Sequence, residues 1–332
     1  MSSCGNISLT NQIKARAVEL GFDKIGVVRA EALVEERARL KEWLRRGYHG
    51  EMPYLARDPE QRSDPRRIFP EAKSVVVVAL NYYTPHQHDV STGGSDRVNH
   101  TGLAAGSRAT GKVSRYAWGD DYHDVAGDKL RELLLWIKQT NPNANGKVCV
   151  DIQPMMDKAW AVRAGLGWMG KHTNLITPEL GSWVFIGELL LNVELDYDEH
   201  EIADQCGSCT LCIDACPTSA IVEPYLLDAN LCISHATIES RAPEIREDVA
   251  PHLEGWLYGC DICQDVCPWN HSSKSTSEAR FEARDGNVNV SLDQILELDQ
   301  EAYATRFRRS AMKRAKLSGL QRNARALFPS AS

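Results

Sequence analysis

Eight of the ten cysteines in this 332-residue chain lie between Cys206 and Cys267, at spacings that suit ligands better than crosslinks. Cys206, Cys209, Cys212 and Cys216, the last followed by Pro217, form the run CGSCTLCIDACP, the pattern by which bacterial ferredoxins hold cubane clusters. Cys260, Cys263 and Cys267, followed by Pro268, repeat its tail, but Leu257 stands where the leading cysteine belongs, and Cys232 is the replacement. In two-cluster modules the last cysteine of one run serves the other cluster. The expected quartets are Cys206, Cys209, Cys212 and Cys267 for one 4Fe-4S cluster, and Cys216, Cys232, Cys260 and Cys263 for the other. Four-cysteine zinc sites also use C-x2-C pairs; the two Cys-Pro endings and the crossed repeat favour clusters, and a reducing cytosol fits clusters better than disulfides. Cys149, between Val148 and Val150, is expected to pack in a core, and Cys4 belongs to a frayed terminus.

Two clusters sharing runs in this way form a wire, and a wire needs something to feed. About 200 residues precede the module, so a substrate site or a further redox centre is expected there. No G-x-G-x-x-G follows an early strand, and GLGWMGK (165–171) matches neither a dinucleotide fingerprint nor a Walker loop. The patterning predicts helices over 11–20, 32–46, 122–139 and 157–164, and strands over 23–28, 147–152 and 183–193. Residues 74–83 are a continuous Val-rich run, the mark of a strand covered on both faces. Residues 84–112 are polar and Gly-rich and read as a long, lid-like loop. After the cysteines come a polar connector, 272–289, and helices over 291–298, 300–317 and 320–328. The fold class is α+β: a mixed α/β domain (1–200), a two-cluster ferredoxin-like module (201–271) and a connector with a basic helical end (272–332).

Hydrophobic residues at 43% and charged residues at 25% describe a folded globular chain. The net charge of -7 excludes a basic nucleic-acid coat, yet residues 303–332 carry eight basic side chains and no acidic one. These are Arg306, Arg308, Arg309, Lys313, Arg314, Lys316, Arg322 and Arg325; Arg309, Lys313 and Lys316 share one side of the helix expected over 300–317. SVVVVAL is too short to span a membrane and WVFIGELLLNV is interrupted by Glu188. The N-terminus has neither a secretory nor a twin-arginine pattern, so a cytoplasmic protein is expected.

The succession RYAWGDDYHDV, CVDIQPMMDKAWAVRAGLGWMGKHTNLITPELGSWVFIGELLLN and the two cysteine runs resembles the epoxyqueuosine reductases over nearly the whole chain. Residues 165–172 and their distance from Cys206 make the match specific. The resemblance implies a cobalamin-dependent iron-sulfur enzyme that converts the epoxide of epoxyqueuosine, at the wobble position of transfer RNA, to the alkene of queuosine with loss of water. It also implies base-off cobalamin with no protein histidine on cobalt, single electrons from a flavodoxin or ferredoxin-like donor, and a monomer. The family's usual Asp-Thr/Ser-Gly-Pro turn is here Asp151-Ile152-Gln153-Pro154, without its glycine, and many members continue in helical repeats beyond this sequence's length.

Within this frame Asp151, at a strand end, is the expected proton donor, its carboxyl raised by burial; Asp157 is the second choice. Gly165, Gly167 and Gly170 are expected to admit the corrin to the backbone, with Lys171, His172, Thr173 and Asn174 binding its amides or nucleotide tail. Arg115 suits a phosphate, and Tyr116 or Trp118 a stacked base or corrin edge, while Trp118 and Tyr122 equally suit anchoring of the following helix. The rival readings are a corrinoid reductive dehalogenase, which the missing export signal and the basic tail disfavour, and a non-catalytic electron carrier or cobalamin-handling protein.

Overall fold

The computed structural model describes residues 8–88, 109–198 and 200–328. Its first part runs α1 (Leu9–Glu19), β1 (Lys24–Arg29), α2 (Val34–Arg45), α3 (Pro59–Ser63), β2 (Ser74–Asn81), β3 (Thr110–Val113), α4 (Tyr122–Thr140), β4 (Gly146–Cys149), α5 (Asp157–Arg163), the hairpin β5 (Trp168–Met169) and β6 (Leu175–Ile176), and β7 (Val184–Leu191). An antiparallel sheet has the order β1-β2-β7-β4. β2 is buried at every position because it has a neighbour on each edge and helices over each face. That double cover, and not a parallel sheet, removes the polar alternation from SVVVVALN. On one face Ile13 and Ala17 of α1 and Leu130, Leu133 and Ile137 of α4 meet Val76, Val78, Leu189 and Leu191. On the other, Trp160 and Ala161 of α5 meet Val75, Val77 and Leu190.

The cysteine-rich part follows with α6 (Leu211–Asp214), the hairpin β8 (Ile221–Glu223) and β9 (Leu226–Leu227), α7 (Ile233–Ile238), β10 (Trp256–Tyr258) and α8 (Ile262–Asp265). Most of these pieces are too short to stand on their own packing, as befits a segment organised by bound metal. The chain closes with β11 (Asn289–Ser291), α9 (Leu292–Glu297), α10 (Gln300–Arg306) and α11 (Lys316–Leu327). β3 is the middle strand of a sheet ordered β10-β3-β11, so the first part, the cysteine-rich part and the closing part of the chain contribute one strand each. Beneath it lies a shared core of Val113, Trp118, Leu257, Tyr258, Val290, Phe307 and Met312.

The polar connector runs back across the first sheet. Asn81 Nδ2 donates to the Lys274 carbonyl at 2.7 Å, Lys129 pairs with Glu278 at 2.7 Å, and Phe281 packs 5.0 Å from Phe185. Three expectations fail nearby. The helix expected over 300–317 stops at Arg306, because Arg309 turns left-handed (φ 55°) while Phe307 and Met312 are both drawn into the core. Arg309, Lys313 and Lys316 therefore sit on three separate pieces of backbone instead of one helical side. Arg322 is not a surface cation: it is 6% exposed and donates to the carbonyls of Ala236, Ser240 and Ala242 at 2.7 to 3.0 Å, binding the end of the chain to the cluster module. The greater part of the expected loop over 84–112 and Cys4 lie outside the described residues. Among the described residues no helix is long and apolar enough to cross a membrane.

Candidate active site

β4 ends at Cys149 and the chain turns sharply at Asp151, whose φ of 55° is left-handed, a region that aspartate tolerates better than most residues. The turn manages without the family's glycine because Gln153 Oε1 accepts the Val150 N–H at 3.1 Å. Asp151 Oδ2 accepts a hydrogen bond from the Tyr122 hydroxyl and lies 3.3 Å from His123 Nε2; His123 Nδ1 is 2.7 Å from Oδ1 of Asp121. All three partners come from the start of α4, where Asp121 also caps the helix by accepting from His123 N. The Tyr122 ring is stacked 4.4 Å from Phe185 on one side and 4.1 Å from His123 on the other, so it both anchors the helix and serves the site.

These contacts overturn the expected protonation of Asp151. Burial pushes its carboxyl up, but the bonds from His123 and Tyr122 and the charges of His123 and Arg314 outweigh that and hold it below the ordinary carboxylate value. Its side chain is nevertheless 58% exposed, so the group lies on the wall of an opening. Burial pulls His123 down, but the two carboxylates that grip it raise it to about 9. At neutral pH the proton resides on His123, between two carboxylates.

The sign of the resulting pH dependence is fixed. His123 rises from 6.5 to about 9 on folding, so its stabilisation is complete below about pH 6.5 and disappears as pH climbs through about 9. Wild type is expected to resist urea better than His123→Gln at about pH 6, and the gap should close by about pH 10.

Across the opening, Lys158 Nζ donates to the Thr173 carbonyl at 2.9 Å and to Asn174 Oδ1 at 2.7 Å. It lies within electrostatic reach of Cys263 and Cys232 on one side and of Asp157 and Asp151 on the other. Tyr54 stands at the rim between the guanidinium groups of Arg314 (5.4 Å) and Arg62 (5.9 Å), and Tyr116 OH donates to Tyr258 OH at 3.0 Å. Lys158, Tyr54 and Arg62 were not singled out in the sequence. A lysine directly after Asp157 in CVDIQPMMDK was the only local signal.

The cysteines gather in two groups. Cys206, Cys209, Cys212 and Cys267 line one cavity of about 400 Å3 together with Lys171, His172 and Trp269. Cys263 lies within electrostatic reach of Cys232 and Cys216, and Cys260 within reach of Cys263 and Cys232. Cys212 also bears on Cys263, so the groups adjoin. The Trp168 indole N–H, buried with no oxygen or nitrogen partner, lies beside Cys206. Asp261 ties the second run to the first domain, accepting from Ser114 Oγ at 2.6 Å and Arg115 N at 2.7 Å. Among the described residues no three His, Cys, Asp or Glu side chains converge on a single-ion site.

Several expected cofactor contacts are employed elsewhere. Lys171 Nζ is spent on the carbonyls of Gly207 (2.6 Å) and Cys209 (2.9 Å) in the first cysteine run. The Arg115 guanidinium is 4.4 Å over Trp118 and 5.1 Å over Trp183, and donates to the Thr84 and His86 carbonyls, which leaves it no place for a phosphate. The glycines face protein: a methyl group at Gly167 would meet the Ile176 carbonyl oxygen at 2.0 Å, and one at Gly165 (φ 70°) the His200 carbonyl oxygen at 2.5 Å. At Gly170 it would meet Ile176 Cδ1 at 2.6 Å. Their reason for being glycine is the close folding of the chain on itself. His172 is neutral, lowered to about 4 by burial and the nearby Lys158 charge. Its Nδ1 accepts from Asn174 N at 3.2 Å, which leaves the hydrogen on Nε2, a buried donor with no partner.

An α+β domain whose proton-holding cleft opens beside a paired thiol module defines an iron-sulfur oxidoreductase. Residues 62–152 match the family model described as epoxyqueuosine reductase QueG, DUF1730, and residues 205–270 match the 4Fe-4S double cluster binding domain. An epoxyqueuosine reductase of Cellulophaga algicola is 42% identical over 94% of this chain and 95% of its own length, and one of Synechocystis sp. is 43% identical over 88% and 95%. A crystal structure of epoxyqueuosine reductase with an epoxyqueuosine-modified tRNA-Tyr stem loop superposes with a TM-score of 0.86 at 31% identity, covering 96% of this chain and 80% of that one. A Bacillus subtilis epoxyqueuosine reductase, solved with its catalytic aspartate loop swung out of the active site, gives 0.84 at 30% identity over the same shares. The chain belongs to the epoxyqueuosine reductase family and carries a double 4Fe-4S cluster-binding module.

Proposed function

We propose that this chain reduces the epoxide of epoxyqueuosine, at the wobble position of transfer RNA, to the alkene of queuosine. The observation that carries the reading is that Asp151, exposed and tied to a charged His123, lies within electrostatic reach of Lys158, which in turn lies within reach of Cys232 and Cys263. The crossed quartets are the cluster ligands: Cys206, Cys209, Cys212 and Cys267, and Cys216, Cys232, Cys260 and Cys263. Cobalamin is a flat ring fringed with amides, and the opening offers matching groups in the Lys158 ammonium, Thr173 and Asn174. His172 lines the cavity of the first cysteine group, and its Nε2, which carries the hydrogen, is not a metal ligand, in keeping with a base-off cofactor. When bound, cobalamin supplies the reducing chemistry at the epoxide carbon. The chain supplies the rest. Asp151 takes the proton held on His123 and delivers it to the departing oxygen, as the catalytic aspartate loop of the B. subtilis relative invites, and Tyr116 and Tyr122 wall the site from water.

Electrons enter singly from a flavodoxin or ferredoxin-like donor, and the chain acts as a cytoplasmic monomer. Incubating reduced, cobalamin-loaded protein with epoxyqueuosine-containing transfer RNA and analysing the nucleosides tests the reading; absence of the alkene with all cofactors in place defeats it.

The exposed Arg309, Lys313 and Lys316 contact the RNA backbone. Replacing the three with Gln is expected to flatten the logarithmic salt dependence of tRNA binding by ~2 to 3 units, at ~0.7 to 0.9 per phosphate, equally for substrate and non-substrate RNA. Arg322→Gln should leave that slope alone and cost about 3 kcal/mol of stability in urea melts, because it strands buried carbonyls.

A further inference from the structure

Glu188 is the one charged residue in the strand VFIGELLL, and it is 0% exposed. It occupies the centre of the sheet, paired in register with Val77 of β2 and Cys149 of β4. Its side chain shares the α5 face with Ile186 and Leu190, and neither carboxyl oxygen has a donor from the chain. A carboxylate stripped of water and donors is too costly to keep charged. The residue it meets is Asp157, the first of α5, itself a carboxyl group with Oδ1 sealed from solvent and without a donor. Two carboxyl groups in contact are stable when they share a proton, since one then donates to the other.

We propose that Glu188 and Asp157 form a proton-sharing pair that supplies the second of the two protons each turnover consumes. The proposal rests on the reading of the chain as an epoxide reductase. Opening an epoxide to an alkene breaks two C–O bonds, takes up two electrons, and releases the oxygen as water only if two protons arrive. His123, through Asp151, accounts for one. The pair holds the other, with Glu188 as the enclosed store and Asp157, half-buried, as the outlet towards the opening that Asp151 and Lys158 share.

Burial holds Glu188 well above the usual carboxyl range, helped by the charge and hydrogen bond of Asp157 and by the charge of Asp151. Burial raises Asp157 to about 6, helped by Asp151 and opposed by the Glu188 bond and Lys158. Cys149 of β4 is the other titratable neighbour and is pushed up by burial and these carboxylates, so it stays a neutral thiol; β2 presents only Val75, Val77 and Ala79. Glu188, fully enclosed where Asp157 is half-buried, is the member that keeps the shared proton.

Carbon-13 NMR of protein labelled at aspartate and glutamate carboxyls reads the store directly, without turnover. Glu188 is expected to be protonated at pH ~7 and to shift when Asp157→Asn is introduced. Single-turnover formation of the alkene nucleoside by Glu188→Gln, which keeps shape and a hydrogen-bond donor but has no proton to give, should fall ~10- to 100-fold. The fall should leave iron and cobalamin content unchanged, and the alkaline decline that remains should be the one set by His123. An ionised Glu188 in the wild type overturns the proposal. So does a Glu188→Gln enzyme with wild-type rate and pH profile. Failure of the wild type itself to form the alkene strikes the functional reading instead, and the two failures are separated by the NMR result.

Discussion

Asp151→Asn is expected to keep both clusters and cobalamin and to lose ~10² to 10⁴ in single-turnover rate, the usual loss on removing a placed proton-transfer group. The change is nearly isosteric, so the turn held by Gln153 and the hydroxyl of Tyr122 keep their places. What disappears is the carboxylate through which the His123 proton reaches the leaving oxygen, and with it one of the two carboxylates that hold His123 near 9. The His123 ring should therefore titrate lower in the variant by proton NMR, independently of turnover. Full single-turnover activity in Asp151→Asn, with activity lost in Asp157→Asn, would assign the delivering acid to Asp157 alone.

Replacement of single cysteines is expected to cut across sequence order. Anaerobically reconstituted wild type should hold about eight irons and eight sulfides, four of each per cubane. Cys267→Ala should strike the cluster of Cys206, Cys209 and Cys212, which line the same cavity, while Cys263→Ala, only four residues away, should strike the other. Each variant should retain about four irons with a distinct paramagnetic resonance signal, and each should stop catalytic turnover because the wire is broken. A total of four irons in the wild type, or loss of the same signal in both variants, rejects the crossed quartets.

The cysteine module was legible because cluster ligands lie close along the chain at spacings fixed by cubane geometry, and the four strands of the first sheet because each carries its own apolar signal. Asp151 was found by its place at a strand end. Its protonation was not, since Tyr122 and His123 come from 29 and 28 positions upstream and no local pattern records that they would meet it. Arg115 and Lys171 illustrate the same blindness: a cation in a dense polar motif reads as a ligand-binding group, yet the Trp183 ring and loop carbonyls from distant segments had already claimed both. Arg322 carried no sign of burial, because a basic helix normally turns such residues to solvent and its acceptors lie some 80 residues earlier. The helix break at residues 307–310 was hidden for the opposite reason. Local propensity favours continuation there, and only the demand of the shared core for both Phe307 and Met312 overrides it.

The middle strand β3 has a consequence for how the protein is made. Its two neighbours are synthesised only at residues 256–258 and 289–291, more than 140 positions after it. A nascent chain can complete the four-stranded sheet from residues 24–191 while β3 still lacks both edges. The wall that carries Tyr116 follows directly from β3 and waits with it. One of the missing edges, β10, immediately precedes Cys260 and so sets in place as that region folds around metal. Maturation of the reactive face is thereby tied to delivery of iron and sulfide, and a cell short of either would accumulate full-length chain with a sound first sheet and an unfinished cleft. Limited proteolysis of iron-depleted protein is expected to cut within residues 109–121 while sparing that sheet, which would make the stability of this chain in the cell a gauge of cluster supply.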